Sequence, residues 1–158
     1  MNITTLKSLR QRIREATGPD RELDCLLRAV VRDGRAVREH QDFILARNPK
    51  PPHDEYVVGL LAPGSPRKFR EADSKPGVPR YTASLDACVS LLSEVLPGCE
   101  WNRDRHGDFW IWRGRNRLGA QGRSMVDGAN RLANDCLTFI DAIISAAIVQ
   151  LEAKEAVG

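Results

Sequence analysis

Apolar residues recur at three- and four-residue steps in four stretches of the chain, each of which predicts a helix with one buried face. Ile3, Leu6, Leu9 and Ile13 make the first stripe, and Leu23, Leu26, Leu27, Val30 and Val31 the second. Leu85, Cys88, Leu92 and Val95 make the third, closed by Pro97-Gly98. The fourth is the broadest: Ala129, Leu132, Ala133, Cys136, Ile140, Ile143, Ile144, Ala147 and Leu151 predict a helix of about 25 residues, roughly 38 Å long. Between these stretches the pattern changes. Ala36 to Ala46 reads as a further helix through Val37, Phe43, Ile44 and Leu45, broken by Asn48-Pro49-Lys50-Pro51-Pro52. Tyr56 to Leu61 is apolar and rich in β-formers, as a short strand requires. Residues 62–80 hold four prolines and two glycines and read as an exposed loop. Glu100 to Arg105 and Asp108 to Arg113 flank His106-Gly107, a hairpin whose glycine supplies the positive φ of a tight turn.

Two strings mark helix starts. In Gly18-Pro19-Asp20-Arg21-Glu22-Leu23-Asp24, proline suits the first helical position and the acids face the positive end of the helix dipole. In Pro79-Arg80-Tyr81-Thr82-Ala83-Ser84-Leu85-Asp86-Ala87, either Thr82 or Ser84 supplies the capping hydroxyl. Together the strings resemble the small proteins of bacteriophages and prophages that carry a phage ABA sandwich domain. The resemblance covers most of Ala16 to Leu151. It implies layers of helix, sheet and helix and a viral genomic setting, and it implies no chemistry. The order of elements gives an α+β domain spanning 1–158, with a small antiparallel sheet at about 100–113 sandwiched between helix layers and a long C-terminal helix.

A length of 158 residues fits one domain that needs no metal or disulfide to fold. The balance of 24 Lys+Arg against 21 Asp+Glu is mildly basic and does not by itself point to nucleic acid. Cys25, Cys88, Cys99 and Cys136 form no CxxC pair, and three of them lie among apolar residues at helical spacing, where a thiol acts as a small hydrophobe. A reduced, cytoplasmic setting is expected. Met1 to Thr17 lacks the apolar centre of a signal peptide. Leu137 to Leu151 is too short for a membrane span and carries Asp141 and Gln150, so a buried helix is expected there.

Candidate chemistry concentrates on the hairpin. Strand alternation puts Phe109 and Ile111 on one face and Trp110 and Trp112 on the other. Helix layers on both sides would bury both pairs. Alternatively Trp110 and Trp112 face outward beside Trp101, Arg103, Arg113, Arg115, Arg117 and Arg123, a set suited to a nucleotide or single-stranded nucleic acid, with Tyr81 as a further pocket wall. The loop Gly114–Arg123 offers backbone donors before a helix but lacks the Gly-Lys-Ser/Thr ending of a P-loop. His40, His53 and His106 are scattered, and no nucleophile elbow, HExxH or cysteine–histidine signature occurs. No catalytic residue, metal or cofactor is expected. The reading is a non-enzymatic accessory protein that binds a host protein and interferes with antiviral defence. The alternative is nucleic-acid or nucleotide binding through the Trp/Arg hairpin, and the C-terminal helix offers a face for a second copy. No membrane partner is expected.

Overall fold

The computed structural model describes residues 2–33, 43–47, 56–60, 79–114, 125–129 and 132–158, with the side chains of 25, 29, 31–33, 43–47, 56–60 and 125–129 set aside. Asn2 starts the first helix, α1 (Ile3–Glu15), by accepting the Thr4 N–H on Oδ1 at 2.8 Å. Leu6, Leu9 and Ile13 are its buried stripe, as the spacing predicts. The second helix, α2 (Arg21–Asp33), begins two residues later than the proline rule suggests. Asp20 is its cap, with Oδ1 accepting from the N–H groups of Glu22 (2.8 Å) and Leu23 (3.1 Å), so Pro19 precedes the cap instead of opening the helix. Leu23, Leu26, Leu27 and Val30 are buried.

The strands β1 (Phe43–Arg47) and β2 (Tyr56–Leu60) pair antiparallel, from Phe43 opposite Leu60 to Arg47 opposite Tyr56. β2 is the strand expected there. β1 corrects the expected helix through Ala46: Phe43-Ile44-Leu45 is a consecutive bulky run, and cross-strand pairing with a β-branched partner overrides weak helical spacing. The remainder of that expected helix, and nearly all of the proline-rich loop, lie outside the described residues.

The third helix, α3 (Leu85–Val95), is capped by Ser84, whose hydroxyl accepts the Ala87 N–H, and its buried face is Cys88, Leu91, Leu92 and Val95. Leu85, placed on that face by spacing, is 42% exposed because the first helical residue points away from the core at this entry angle. Gly98, at φ 77°, carries the chain out of the helix.

A three-stranded antiparallel sheet follows, ordered β3 (Glu100–Arg103), β4 (Phe109–Trp112) and β5 (Met125–Ala129). β5 corrects the expected helical start at Ala129. The last helix, α4 (Asp135–Val157), starts only at Asp135, because Asn134 is extended and accepts the Leu137 N–H at 2.8 Å. Thr138 also accepts the Leu132 N–H at 2.9 Å, which holds the preceding chain out of the helix.

α4 is the middle of the molecule. α1, α3, β4 and β5 all pack on it, and its residues Cys136 to Ile148 are all buried. The fold is α+β, with a small antiparallel sheet and a long C-terminal helix, and the expected second helix layer over the outer sheet face is not among the described residues. α4 runs for 23 residues and an 18-residue window of it has a mean hydropathy of 1.7, so by length and composition alone it could cross a membrane; the stretch 137–151, expected to be too short for that, is only its apolar centre. Its covering on all sides accounts for that composition as a core helix. Of its three buried polar side chains, Thr138 is satisfied at the helix start and the other two are met by α1: Arg14 makes a two-point contact to Asp141 (3.0 and 3.1 Å), and Arg10 reaches the Ser145 hydroxyl. For a second copy of the chain α4 leaves exposed only Val149 and its last turns, which are polar apart from Ala156 and Val157.

The two helix-start strings, about 60 residues apart in sequence, meet in space. Thr82 joins them: its N–H donates to Asp24 Oδ1 (2.7 Å), and its hydroxyl accepts the Asp20 N–H (2.9 Å) and lies 3.2 Å from the Asp20 carbonyl. Arg21 bridges Asp24 Oδ2 (2.8 Å) and the Pro79 carbonyl (3.2 Å). The cap of α4 closes the junction, with Asn134 Nδ2 donating to the Thr82 carbonyl at 3.3 Å. Three helix starts are thereby fastened around two fully buried polar side chains, Asp24 and Thr82.

Candidate functional site

The junction is polar and buried, yet its chemistry is that of a fastening. Burial pushes the Asp24 carboxyl up from its ordinary range, opposed by the hydrogen bonds from Thr82 and Arg21. Tyr81 is 1% exposed and belongs to this cluster, with its phenol pushed up by burial and facing Arg28, Glu94 and Asp24. It therefore lines no open pocket and is separated in role from the hairpin residues with which it was grouped. Cys88 donates its thiol to the Tyr81 carbonyl at 3.0 Å, and burial raises the pKa of both Cys88 and Cys136. Such thiols stay protonated at neutral pH and act as apolar filler. The depression beside the junction follows the α1–α2 connection from Glu15 to Glu22 and is broadly open to solvent. Among the described residues no three His, Cys, Asp or Glu side chains converge to hold a metal ion.

The hairpin is built differently from a two-residue turn. The Gly107 N–H donates to the Asp104 carbonyl (3.1 Å) and the Asp104 N–H to the Asp108 carbonyl (2.9 Å), which leaves Arg105, His106 and Gly107 as a three-residue loop. Gly107, at φ 90°, supplies the positive φ that this loop needs. Asp104 rigidifies it, with Oδ1 accepting the N–H groups of His106 (2.8 Å) and Asp108 (3.1 Å). The longer loop sets the register: Glu100 faces Trp112, Trp101 faces Ile111, Asn102 faces Trp110 and Arg103 faces Phe109.

That register sorts the hairpin into two faces. Phe109 and Ile111 are buried against α4, where Phe109 stacks on Phe139 with ring centroids 4.6 Å apart. Trp101 lies at the rim of this inner face, 4.7 Å from Phe139, and is still 40% exposed. Arg103 sits over the Phe109 ring at 5.7 Å and pairs with Asp135 at 2.8 Å. The opposite, outer face carries Glu100, Asn102, Trp110 and Trp112, and both indoles are half-buried. Their N–H groups are pinned to carboxylates: Trp110 Nε1 donates to Asp104 Oδ2 at 3.0 Å, and Trp112 Nε1 to Glu100 Oε2 at 2.7 Å. The two tryptophans are thus oriented side chains on a face free of any described helix.

Of the arginines expected to join them, Arg103 lies on the other face and Arg113 donates to the Pro97 carbonyl at 2.6 Å. Arg115, Arg117 and Arg123, with the Gly114–Arg123 loop, lie outside the described residues, as do His40 and His53. Sequence reasoning missed Glu100 and Asp104 as partners of the indoles. The loop length is the signal that finds them, because a one-residue change of register decides which side chain faces Trp112.

The Trp110 indole N–H, followed by the backbone N–H groups of Asp108 and His106, holds the Asp104 carboxyl below the usual aspartate range. A depressed folded pKa contributes stability above the unfolded value of 3.8 that is lost as pH falls through the folded value. The Trp110 side-chain N–H resonance in a ¹H–¹⁵N spectrum is therefore expected to stay put on acidification past the ordinary aspartate midpoint and to move only at lower pH. In Asp104→Asn that titration disappears. Compared with known protein families, curated proteins and solved structures, the chain finds no match.

Proposed function

We propose that the protein is a non-enzymatic phage or prophage accessory protein that works in the host cytoplasm by binding a host protein, with interference in antiviral defence as the consequence. The phage setting is supported by the resemblance of the two helix-start strings and rests on it alone. The binding reading is supported by one observation: Trp110 and Trp112 stand half-open and oriented by carboxylates on the sheet face turned away from α4. Tryptophan concentrates binding energy at protein interfaces, because a large rigid ring buries much area for little conformational entropy. Arg103 and Arg113 are meanwhile engaged within the chain, and Glu100 and Asp104 would repel phosphate from the indoles. The geometry therefore favours a protein partner over nucleic acid.

The test compares wild type with Trp110→Ala/Trp112→Ala in capture from nuclease-treated bacterial lysate, alongside titration with single-stranded and duplex DNA and RNA at low salt. The expected result is a host protein retained by wild type and lost with the double variant, and no salt-sensitive nucleic-acid binding. Nucleic-acid binding that depends on the two tryptophans would replace this reading with the alternative.

A further inference from the structure

The outer face of the β3–β4–β5 sheet is segregated in charge as well as in shape. Its described side chains are two indoles, an amide and the carboxylates of Glu100 and Asp104. The cations of the hairpin are placed elsewhere. Arg103 is on the inner face, tied to Asp135 over Phe109, and Arg113 is drawn to the Pro97 carbonyl. Arg105 is at the loop tip, where its Nε donates to His106 Nε2 at 3.0 Å.

We infer that this face receives a cationic segment of the partner protein, an extended stretch bearing arginine or lysine side chains. The inference rests on the binding reading above and names the chemistry of its partner. The faces of indole rings attract cations through the ring quadrupole, and tryptophan does so best. Each indole has a carboxylate held at its N–H, and that carboxylate keeps acceptor capacity for a guanidinium or ammonium group. Trp110 and Trp112 are two residues apart on one strand, so their backbone positions repeat at about 6.6 Å, the spacing of same-side residues in an extended peptide. Aromatic faces and acidic edges at that repeat match alternate cationic side chains. The carboxylates of Glu100 and Asp104 would repel a phosphate-bearing ligand.

The full-length protein is titrated with a short peptide of alternating arginine and alanine, its glutamate–alanine counterpart and an oligothymidylate, read by tryptophan fluorescence at about 50 mM salt, where screening is weak. The basic peptide alone is expected to bind, and its affinity to fall as salt rises. Glu100→Gln/Asp104→Asn retains an acceptor for each indole while removing both charges, and is expected to weaken binding about tenfold or more. Trp110→Leu/Trp112→Leu keeps apolar bulk, removes the π faces and is expected to abolish saturable binding, followed here by calorimetry. Absence of basic-peptide binding, or binding equal in the charge-neutral variant, overturns the inference. If the tryptophan-dependent lysate contact persists in that case, the binding reading stands and only the cationic partner class falls. Tryptophan-dependent binding of the oligothymidylate would overturn both.

Discussion

Asp24→Ala is expected to remove about 3–5 kcal/mol of stability, a large share of the roughly 5–15 kcal/mol that holds a domain folded. The substitution deletes the acceptor of the Thr82 N–H and a partner of Arg21 at a site from which water is excluded. A buried donor left unsatisfied forfeits its full desolvation cost, which is why deletion costs more than the hydrogen bond gains. Because Asp24 and Thr82 fasten three helix starts, the loss is expected to reach the whole domain: the urea midpoint drops while the slope of the transition is retained. Asp24→Asn is expected to cost much less, since the amide oxygen still accepts from Thr82. The pH dependence separates the two effects. The folded pKa of Asp24 is raised above 3.8, so the native state binds its proton more readily than the unfolded chain does. This group's contribution is therefore most favourable below 3.8 and falls as pH rises through the folded value. Wild type should show that declining contribution relative to Asp24→Asn. A flat difference between the two across acidic pH would mean that burial does not dominate at Asp24.

Phe139→Ala is expected to cost about 3–5 kcal/mol, the range for deleting a fully buried aromatic ring. Phe139 is the α4 side chain on which the sheet rests: Phe109 stacks on it at 4.6 Å, and Trp101 packs at 4.7 Å. Removing the ring opens a cavity between helix and sheet and takes from Trp101 the nearer of its two ring contacts among the described residues, leaving only Phe109 at 5.9 Å. Thermal unfolding should move down, and Trp101 emission should shift toward that of a solvated indole. Phe139→Leu keeps most of the volume and should recover over half of the loss. If Phe139→Ala unfolds at the wild-type temperature, the sheet does not depend on α4 for its anchorage.

Much of the fold could be read from the sequence because it is written in local chemistry. The stripe Leu6, Leu9, Ile13, the stop at Pro97-Gly98 and the alternation from Phe109 to Trp112 each depend on neighbours within a turn or a strand. What escaped was decided at longer range. Gly18–Asp24 and Pro79–Ala87 read as two separate helix starts, and each does start a helix. Their joint role appears only when Thr82 comes within 2.7 Å of Asp24, across 58 residues. β5 escaped because Met125-Val126-Asp127-Gly128-Ala129 has weak strand propensity and is made a strand by pairing with β4. The hairpin tryptophans were recognised, and their separation from Phe109 and Ile111 follows from alternation. Their carboxylate partners were not, because the asparagine-like work of Asp104 within the loop lengthens it by one residue and shifts the register. Tyr81 was misplaced by the opposite error: an aromatic residue in a helix-start string carries no sequence signal that it will be buried against Asp24.

The molecule thus has a fastening, where the strings meet, and a proposed contact surface, where the outer indoles stand. Site-specific photo-crosslinking in bacterial cells tests that division most directly. A photoreactive phenylalanine replaces Asn102, which faces Trp110 across the strands, or Ser90, an exposed residue of α3. A discrete protein adduct is expected from position 102, absent from position 90 and abolished by Trp110→Ala/Trp112→Ala. Adducts from position 90 with none from position 102 would contradict it.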